Sequence, residues 1–331
     1  MESQPHMFEP AFRAPVHTFV NDLTQQSRTI DFSRRLVVMA VVNRTKDSFF
    51  DSGATFALDR AVEASLAGAD SGADWVDIGG VPFSPGPALS WEEEADRVVP
   101  VIQAVRERSD VILSADTFDA KVANAALSAG ANVVNDTTGL SDPDLLGVVA
   151  DHGAHLVITH SLAAPRTVYP RPQYDDVVAS VRSFLEVRIE RALSEGVAAD
   201  KILIDPGHDL NKNTLHSLEL TRRYAEIANL GFPGLAAVSN KDFIGEAIGV
   251  PKFERQSASI AAATMSVLNG ARVVRMHDAA ESVKAMRFLE VALGWREPIE
   301  LKHNMGEVNQ PADLAPLTNG AQPADAAQRR L

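Results

Sequence analysis

The sequence has no cysteine among its 331 residues. Disulfide bonds and thiolate metal sites are therefore excluded, and the cytoplasm is the expected compartment. Long apolar runs are also missing, because the longest aliphatic stretch covers only residues 36–42 and is too short to span a bilayer. The N-terminal segment lacks a basic start followed by an apolar core, so we expect neither a secretory signal nor a membrane partner.

Basic residues are fewer than acidic ones, and the formal net charge is −13. This balance argues against nucleic acids and anionic membrane surfaces as partners. It leaves an anionic small molecule open as a ligand, because a local cluster of Arg, Lys and His can override the overall field. No GxGxxG run follows the first predicted strand, which argues against a dinucleotide-binding open sheet.

The sequence instead repeats one unit along most of its length, an apolar run that ends in a polar residue. The runs are continuous rather than alternating, as expected for strands that are buried on both faces of a parallel sheet. We predict eight such strands, within residues 36–45, 71–80, 111–117, 129–139, 152–160, 201–207, 234–242 and 269–278.

Helical patterns fill the gaps between these strands, most clearly at 57–70, 92–107 and 174–195. Eight strands alternating with helices over about 250 residues predict an α/β fold of the (β/α)8 type, a TIM barrel, in a single domain. An open doubly wound sheet is the rival arrangement. We expect an N-terminal extension at 1–33, the barrel at 34–297 and a disordered tail at 298–331.

Polar residues close the predicted strands, and in such a barrel these ends converge on the face where chemistry takes place. They could simply mark where each strand leaves the core. That explanation accounts poorly for carboxylates such as Asp116 and Asp205, because an isolated buried charge is costly to desolvate. We therefore predict a site formed by Asn43, Asp116, Asn135, Asp205, Lys241, Arg275 and His277.

The predicted site residues have two chemical characters. One set mixes donors and acceptors, which suits the edge of a flat guanine-like heterocycle; it comprises Asp116, Asn135, Asp205 and Lys241. The other set, Asn43, Arg275 and His277, suits a diphosphate, with Asn43 able to help hold a divalent cation. An internal salt bridge from either basic residue to Asp278 or Glu281 is the alternative.

Seven motifs in order resemble the strand-end motifs of the dihydropteroate synthase family. They are MAVVNRTKDSF, DIGG with a following PG, SADTF, NDTTG, IDPG, SNKDFIGEAIG and VRMHD, and the resemblance runs from about residue 36 to 292. It implies a pterin-binding (β/α)8 barrel and a transferase of folate biosynthesis. Enzymes of that family join the CH2 group of a hydroxymethyl-dihydropterin diphosphate to the amine of 4-aminobenzoate and release pyrophosphate, with Mg²⁺ as cofactor.

The resemblance also implies roles for the matching residues. The implied pterin-binding residues are Asp116, Asn135, Asp205 and Lys241, and of these Asp116, Lys241 and Asp205 are implied to be catalytic. Asn43, Arg275 and His277 are implied to bind the diphosphate, and Asn43 its Mg²⁺. Family members commonly dimerise through helices in the region of 255–271, so a homodimer is implied as well.

The second-substrate side departs from the family pattern. Loop 81–86 reads VPFSPG in place of a Glu-Ser-Thr-Arg-Pro-Gly type run, and 208–213 replaces a Gly-Phe-Gly-Lys-Thr type run. Asp242 stands where the family has Ser and would bring negative charge toward a benzoate, while Arg44 and Lys46 would supply compensating cations. We assign the second-substrate loops to Arg44, Lys46, Phe83, Ser84 and Asp242. The pattern is similar to the divergent second dihydropteroate-synthase-like copies of some actinobacteria.

Two kinds of function remain open. One is a transferase that uses 4-aminobenzoate or a different amine or carbon nucleophile, and the other is a pterin- or folate-binding module without this chemistry. The joint presence of Asn43, Arg275 and His277 favours the enzyme, because a module that never handles a diphosphate has little use for them. Two further predictions concern packing: Trp75 belongs to the core, and the turn-flanking residues His152 and His155 are surface or capping groups rather than ligands.

Overall fold

A closed barrel of parallel strands is the centre of the fold. The computed structural model describes residues 7–21, 23–44, 58–82, 86–163, 165–167, 169 and 171–304. Its strands are β1 (Val16–Asn21), β2 (Gln26–Asp31), β3 (Val37–Asn43), β4 (Trp75–Gly79), β5 (Ile112–Asp116), β6 (Val133–Asp136), β7 (His155–Thr159), β8 (Ile202–Asp205), β9 (Gly234–Ala236) and β10 (Ala271–Met276). The last eight close into a barrel in which β10 pairs with β3. The predicted (β/α)8 fold is therefore confirmed.

Helices form the outer layer of the barrel. They are α1 (Leu58–Asp70), α2 (Trp91–Arg106), α3 (Ala120–Ser128), α4 (Leu145–Asp151), α5 (Val177–Ser194), α6 (Thr214–Arg222), α7 (Tyr224–Ala228), α8 (Asp242–Ile248), α9 (Gln256–Leu268) and α10 (Ala279–Ala292). The three clearest predicted helices are present as α1, α2 and α5. Ser90 begins α2 with a reciprocal cap, because its hydroxyl accepts the N–H of Glu93 and the Glu93 carboxylate accepts the N–H of Ser90. In the described part of the chain, each helix is too short or too polar to cross a membrane.

Aliphatic side chains fill both the inside of the barrel and the space between strands and helices. Successive strand residues point to opposite faces, so a continuous apolar run supplies both layers. In β3, Val37 and Met39 point into the barrel, whereas Val38 packs in the outer layer. Trp75 is fully buried inside the barrel, as predicted, and its Nε1–H donates to the hydroxyl of Ser114 at 2.7 Å.

The β1–β2 hairpin covers the end of the barrel at which the strands begin. The buried ring of Phe19 stacks on His155 with 3.8 Å between ring centroids. His17 is also fully buried, with its ring centroid 5.5 Å from that of His155. The prediction that His155 is a surface or capping group is therefore wrong, because it is the first residue of β7 and the hairpin covers it.

A network of charged side chains joins the start of β3 to α10, and we call it the closing network. Asp74 accepts from Arg35 at 2.7 Å and from Arg287 at 2.6 Å. The buried carboxylate of Glu290 accepts the backbone N–H of Leu36 at 2.8 Å and also pairs with Arg287. The first barrel strand is therefore fixed to the last barrel helix by hydrogen-bonded charges.

Candidate functional site

The C-terminal ends of the barrel strands surround one cavity of about 150 Å³. Its polar lining includes Asn43, Asp116, Asn135, Asp205, Lys241 and Arg275. Its apolar lining includes Val81, Pro82, Phe118, Pro165, Leu210 and Ala237. The structure therefore brings together all but one of the residues predicted for the site. The exception is His277, which is not among the described lining residues.

Arg275 is held between two carboxylates from other strands. Its Nε donates to Oδ2 of Asp77 at 2.7 Å, and its Nη2 donates to Oδ2 of Asp116 at 3.0 Å. Asp77 is fully buried and also accepts from Nδ2 of Asn135 at 3.2 Å. Arg275 therefore pairs across the barrel rather than with the residues that follow it. The sequence analysis assigned no function to Asp77. An acidic residue inside an apolar strand is the feature that could have indicated one.

The acids of the cavity have raised pKa values. Burial raises the pKa of Asp116 to about 7, the charge of Asp77 acts in the same direction, and Arg275 opposes both. Burial also raises the pKa of Asp205 to about 6, against the charge of Lys241. Burial lowers the pKa of Lys241. The charged forms of these two acids and of Lys241 are thus disfavoured when the cavity holds no ligand. A ligand with complementary donors and acceptors would stabilise them.

The turn after β8 orients Asp205. Its Oδ1 accepts the backbone N–H of Gly207 at 2.7 Å. Gly207 has a φ of 69°, and a Cβ at this position would lie 2.2 Å from the carbonyl oxygen of His160. Only glycine fits such a left-handed, crowded position. The IDPG motif therefore fixes a carboxylate at the edge of the cavity.

His277 lies at the same end of the barrel, beside β9. Its Nδ1 is 3.0 Å from the hydroxyl oxygen of Ser239, and that oxygen also accepts the backbone N–H of His277 at 3.1 Å. The imidazole ring is thus oriented by a serine of the neighbouring strand end.

Asn43 is the predicted metal ligand, and its side-chain oxygen lies against Gly79. A Cβ at Gly79 would lie 3.0 Å from Oδ1 of Asn43, so the glycine makes room for this amide. Within the described ranges, no group of three or more His, Cys, Asp or Glu side chains could hold a metal ion. Mg²⁺ commonly takes few protein ligands, keeps several waters and binds substrate phosphates. A Mg²⁺ at Asn43 therefore stays a prediction.

The residues assigned to the second-substrate loops are not gathered around the cavity as the other predicted site residues are. Nη1 of Arg44 donates to the carbonyl oxygens of Asp96 and Arg97 on α2, at 2.9 and 3.0 Å. The Asp242 side chain is 84% exposed and pairs with Nη1 of Arg255 at 2.9 Å. The cation and the anion expected at the acceptor are thus engaged with other groups. The remaining assigned residues lie outside the described residues: Lys46, Phe83 and Ser84.

Lys212 lies buried behind the cavity and was missed by the sequence analysis. Its Nζ donates to the carbonyl oxygens of Gly207 and Leu210, both at 2.9 Å, and lies 2.8 Å from Nδ1 of His160. Burial lowers the pKa of Lys212 to about 7. Lys212 therefore ties the loop after β8 to the end of β7. The sequence gives no sign of this role, because a lysine within a polar run is typical of an exposed loop.

Asp209, in the same loop, contacts the start of α8. Its Oδ2 accepts the backbone N–H groups of Asp242 at 2.7 Å and Phe243 at 3.4 Å, and its Oδ1 accepts the hydroxyl of Ser217 at 3.1 Å. Burial raises the pKa of Asp209, whereas the charge of Lys241 and these hydrogen bonds oppose that shift. Asp209 has a φ of 64°, a left-handed conformation that is uncommon outside glycine.

Comparisons with known proteins agree on one family. The sequence pattern described as "Pterin binding enzyme" matches residues 39–277. The chain is 42% identical over 270 residues to the protein of Mycobacterium tuberculosis (strain ATCC 25618 / H37Rv) named inactive dihydropteroate synthase 2, covering 80% of this chain and 85% of the relative. It is 37% identical over 276 residues to the dihydropteroate synthase of Escherichia coli (strain K12), covering 83% of this chain and 98% of that enzyme.

Solved structures give the same result for the fold. The dihydropteroate synthase of Xanthomonas albilineans with 4-aminobenzoic acid matches with a TM-score of 0.75 and 36% identity, covering 83% of this chain and 98% of that chain. The enzyme from the same organism in complex with 7,8-dihydropteroate matches with a TM-score of 0.72 and 37% identity, covering 80% of this chain and 96% of that chain. The similarity therefore extends over nearly the whole of both enzyme chains.

Proposed function

The chain belongs to the pterin-binding enzyme family, and we propose that it binds a 6-hydroxymethyl-dihydropterin diphosphate and transfers the pterinylmethyl group to an amine. One observation carries this proposal. Polar side chains from separate strands meet in a single cavity, and they are Asn43, Asp116, Asn135, Asp205, Lys241 and Arg275. The reaction needs both a heterocycle site and a diphosphate site, and this set supplies donors and acceptors for each.

The pterin would bind through its polar edge. Ionised Asp116 and Asp205 accept N–H groups of the ring, while Asn135 and the ammonium group of Lys241 serve ring nitrogen and carbonyl acceptors. Asp116 and Asp205 are disfavoured as anions in the cavity alone, so N–H donors from the ligand stabilise their charged forms. Recognition of the ring thus follows from the placement of acids and a base around a flat cavity.

The diphosphate would bind on the side of Arg275, Asn43 and His277. The guanidinium group can offer further N–H donors to a diphosphate oxygen while it stays paired with Asp77 and Asp116. Asn43 would help to hold a Mg²⁺, and that ion would supply positive charge that neutralises the leaving group. His277, oriented by Ser239, adds a ring N–H donor at the same strand ends.

The transfer would proceed without a covalent protein intermediate. The C–O bond at the pterin CH2 breaks with its electron pair going to the diphosphate, and the amine nitrogen forms the new bond and releases one proton to solvent. Positive charge develops at the CH2 group as the bond breaks. The carboxylate of Asp116 stabilises that charge, and Arg275 stabilises the departing diphosphate.

The acceptor of this reaction in the family is 4-aminobenzoate, so 4-aminobenzoate is the first acceptor to test and dihydropteroate the first product. A second candidate function is binding of pterin diphosphate without transfer. The 42% identity to a relative named inactive dihydropteroate synthase 2 supports this second candidate. Both candidates use the same pterin and diphosphate contacts, and they differ in whether pyrophosphate is released.

The test is calorimetric titration of the protein with the dihydropterin diphosphate and Mg²⁺, followed by addition of 4-aminobenzoate and measurement of pyrophosphate release. Binding with release supports the transferase with 4-aminobenzoate as acceptor. Binding without release excludes 4-aminobenzoate, and release with another amine then separates a transferase from the binding module. Asp205→Asn should weaken pterin binding about tenfold or more. Asp151→Asn, at the exposed end of α4, serves as the matched control and should bind as the wild type does. Absence of pterin binding would contradict both candidates.

A further inference from the structure

A threonine at the end of β7 brings an unpaired hydroxyl group to the cavity. Thr159 is the last residue of β7, it is buried, and it lines the cavity. Within the part of the chain that the structure describes, Oγ1 of Thr159 has no hydrogen-bond partner. A buried hydroxyl without a partner costs free energy, so such a group at a cavity indicates that a ligand supplies the partner. The sequence analysis assigned no function to Thr159.

The register of the barrel places this hydroxyl group beside Asp205. Thr159 of β7 is paired with Asp205 of β8, and the pair two residues earlier is Val157 with Leu203. Val157 and Leu203 both belong to the apolar cluster inside the barrel. Because side chains of a strand repeat with a period of two, Thr159 and Asp205 point inward as well. Their strands lie about 4.8 Å apart, so the hydroxyl and the carboxylate are neighbours at the cavity.

The methyl group of Thr159 fixes the direction of the hydroxyl. A Cβ at Gly207 would lie 3.3 Å from Cγ2 of Thr159, so the methyl group faces the turn after β8. A β-branched side chain is stiff about χ1, and Oγ1 is therefore directed away from that turn. The N–H of Gly207 is already used, because it donates to Oδ1 of Asp205. The hydroxyl group thus faces the cavity.

A ligand group that pairs with Thr159 has to lie next to the group that binds Asp205. An exocyclic amine on a flat heterocycle meets this requirement, because its two N–H groups diverge from one nitrogen atom. Ionised Asp205 can accept one of them, and the hydroxyl oxygen of Thr159 has lone pairs for the other. The two side chains therefore form a pair of acceptors for a single amine.

We propose that Thr159 is a specificity-determining residue, and that its hydroxyl oxygen accepts one N–H of the exocyclic amine of the pterin ring while Asp205 accepts the other. This inference rests on the proposed function, since it concerns recognition of the same heterocycle. The cavity then selects pteridines that carry this amine. A ring without it leaves a buried polar group of the protein unpaired, and sites of this kind discriminate strongly.

The test compares pterin with 4-oxopteridine, which is the same ring without the amine. Calorimetry measures the binding of pterin to the full chain, and displacement of pterin measures the binding of 4-oxopteridine. Neither compound carries a diphosphate, so turnover and Mg²⁺ do not enter the measurement. We expect the wild type to bind pterin about tenfold or more tightly than 4-oxopteridine.

Variants of Thr159 separate the hydroxyl group from the shape of the side chain. Thr159→Val should bind pterin about tenfold more weakly and 4-oxopteridine within about twofold of the wild type, because only the amine loses an acceptor. Thr159→Ala also lacks the hydroxyl and should repeat this selective loss. Thr159→Ser keeps the hydroxyl and should bind pterin nearly as the wild type does. Thr29→Val, at an exposed position of β2, is the matched control and should bind both compounds normally.

The stability of the protein without ligand separates recognition from a structural role. Oγ1 of Thr159 has no partner among the described residues, so Thr159→Val should leave the urea midpoint of unfolding unchanged or raise it. A structural role of the hydroxyl predicts a lower midpoint instead.

The Thr159 proposal is wrong if the wild type binds both heterocycles equally, if the valine and alanine variants keep the wild-type affinity for pterin, or if they weaken both heterocycles by the same factor. A lower urea midpoint for Thr159→Val would also contradict it. Absence of pterin binding by the wild type is a different result. It would contradict the proposed pterin function, and the Thr159 proposal would fall with it.

Discussion

Arg275 compensates two carboxylates from neighbouring strands, one fully buried and one partly exposed. Asp77 on β4 and Asp116 on β5 each accept one of its N–H groups, and Asp77 is fully buried. A buried ion pair contributes little net stability compared with apolar packing, but the loss of one partner leaves an uncompensated charge. The arginine is therefore needed both to fold the cavity and to position its acids.

Removal of this guanidinium group should destabilise the whole protein. We predict that Arg275→Met lowers the free energy of unfolding by about 3–5 kcal/mol. Arg275→Lys should cost less, because an ammonium group keeps the charge but cannot bridge both carboxylates. Urea unfolding followed by circular dichroism measures the loss. Arg182→Met, which removes a half-exposed pair with Glu186, is the control, and an equal loss in both proteins would contradict the prediction.

The raised pKa values in the cavity predict that pterin binding depends on pH. A protonated carboxyl group offers an O–H where the ligand needs an acceptor, so only ionised Asp116 and Asp205 bind ring N–H groups. Their pKa values are about 7 and about 6, so affinity should rise as pH increases through this range and level off above it. The rise should approach about tenfold per pH unit for each titrating group. Calorimetry across this range measures it, and a flat profile would rule it out.

The β1–β2 hairpin places His17 against His155 of β7 at the base of the barrel. Nε2 of His17 lies 3.2 Å from the carbonyl oxygen of Ala14, while its Nδ1 is buried and has no hydrogen-bond partner among the described residues. The Nε2 atom of His155 is likewise buried, without a hydrogen-bond partner in the part of the chain that the structure describes. Burial lowers the pKa of His17 to about 4 and that of His155 well below its ordinary value. Protonation of either ring would place a charge in an apolar layer beside Phe19.

This arrangement predicts acid sensitivity that originates in the hairpin. The unfolded chain takes up these protons near pH 6.5, whereas the folded His17 resists them until about pH 4. Stability is therefore complete above about pH 6.5 and is lost as pH falls toward about 4. His17→Leu should remove up to about 3 kcal/mol of this pH-dependent loss. Urea unfolding at a series of pH values measures it; His152→Gln is the control, and identical slopes in all proteins would contradict it.

The barrel strands and most of the cavity residues could be predicted from the sequence because short local patterns indicate both. Continuous apolar runs indicated the strands, and the polar residue after each run indicated the cavity lining, as with Asp116 and Lys241. The hairpin was missed because β2 has five exposed residues out of six and no apolar alternation. The partners of Arg44, Asp242 and Asp209 were also beyond prediction, since each is bound by a residue that is distant in sequence.

At the scale of the whole molecule, the outer helices leave apolar side chains exposed. Met265 and Leu268 on α9 are 41% and 40% exposed, and Phe288 on the neighbouring α10 is 70% exposed. Apolar patches of this kind are typical of surfaces that associate. The sequence resemblance implies a homodimer through the same region, so we keep the homodimer as a prediction.

A charge on α9 should therefore separate the subunits. We predict that the wild type sediments as a dimer and that Met265→Glu sediments as a monomer, because a carboxylate buried in an apolar interface lacks a counter-charge. Sedimentation velocity distinguishes the two masses. Val187→Glu, at a 64% exposed position on α5, is the matched control and should stay dimeric. A monomeric wild type would show that the prediction is wrong.

The pairing of β10 with β3, together with the closing network, has a consequence for synthesis. The barrel cannot close until the ribosome has released Ala271–Met276 and the helix that carries Glu290. At ordinary translation rates roughly 10 to 50 s separate β3 from β10. During that interval the edge of β3 that later pairs with β10 is unpaired, and such an edge is a template for wrong pairing. The last strand to be made therefore decides when the nascent protein becomes resistant to proteases and independent of chaperones.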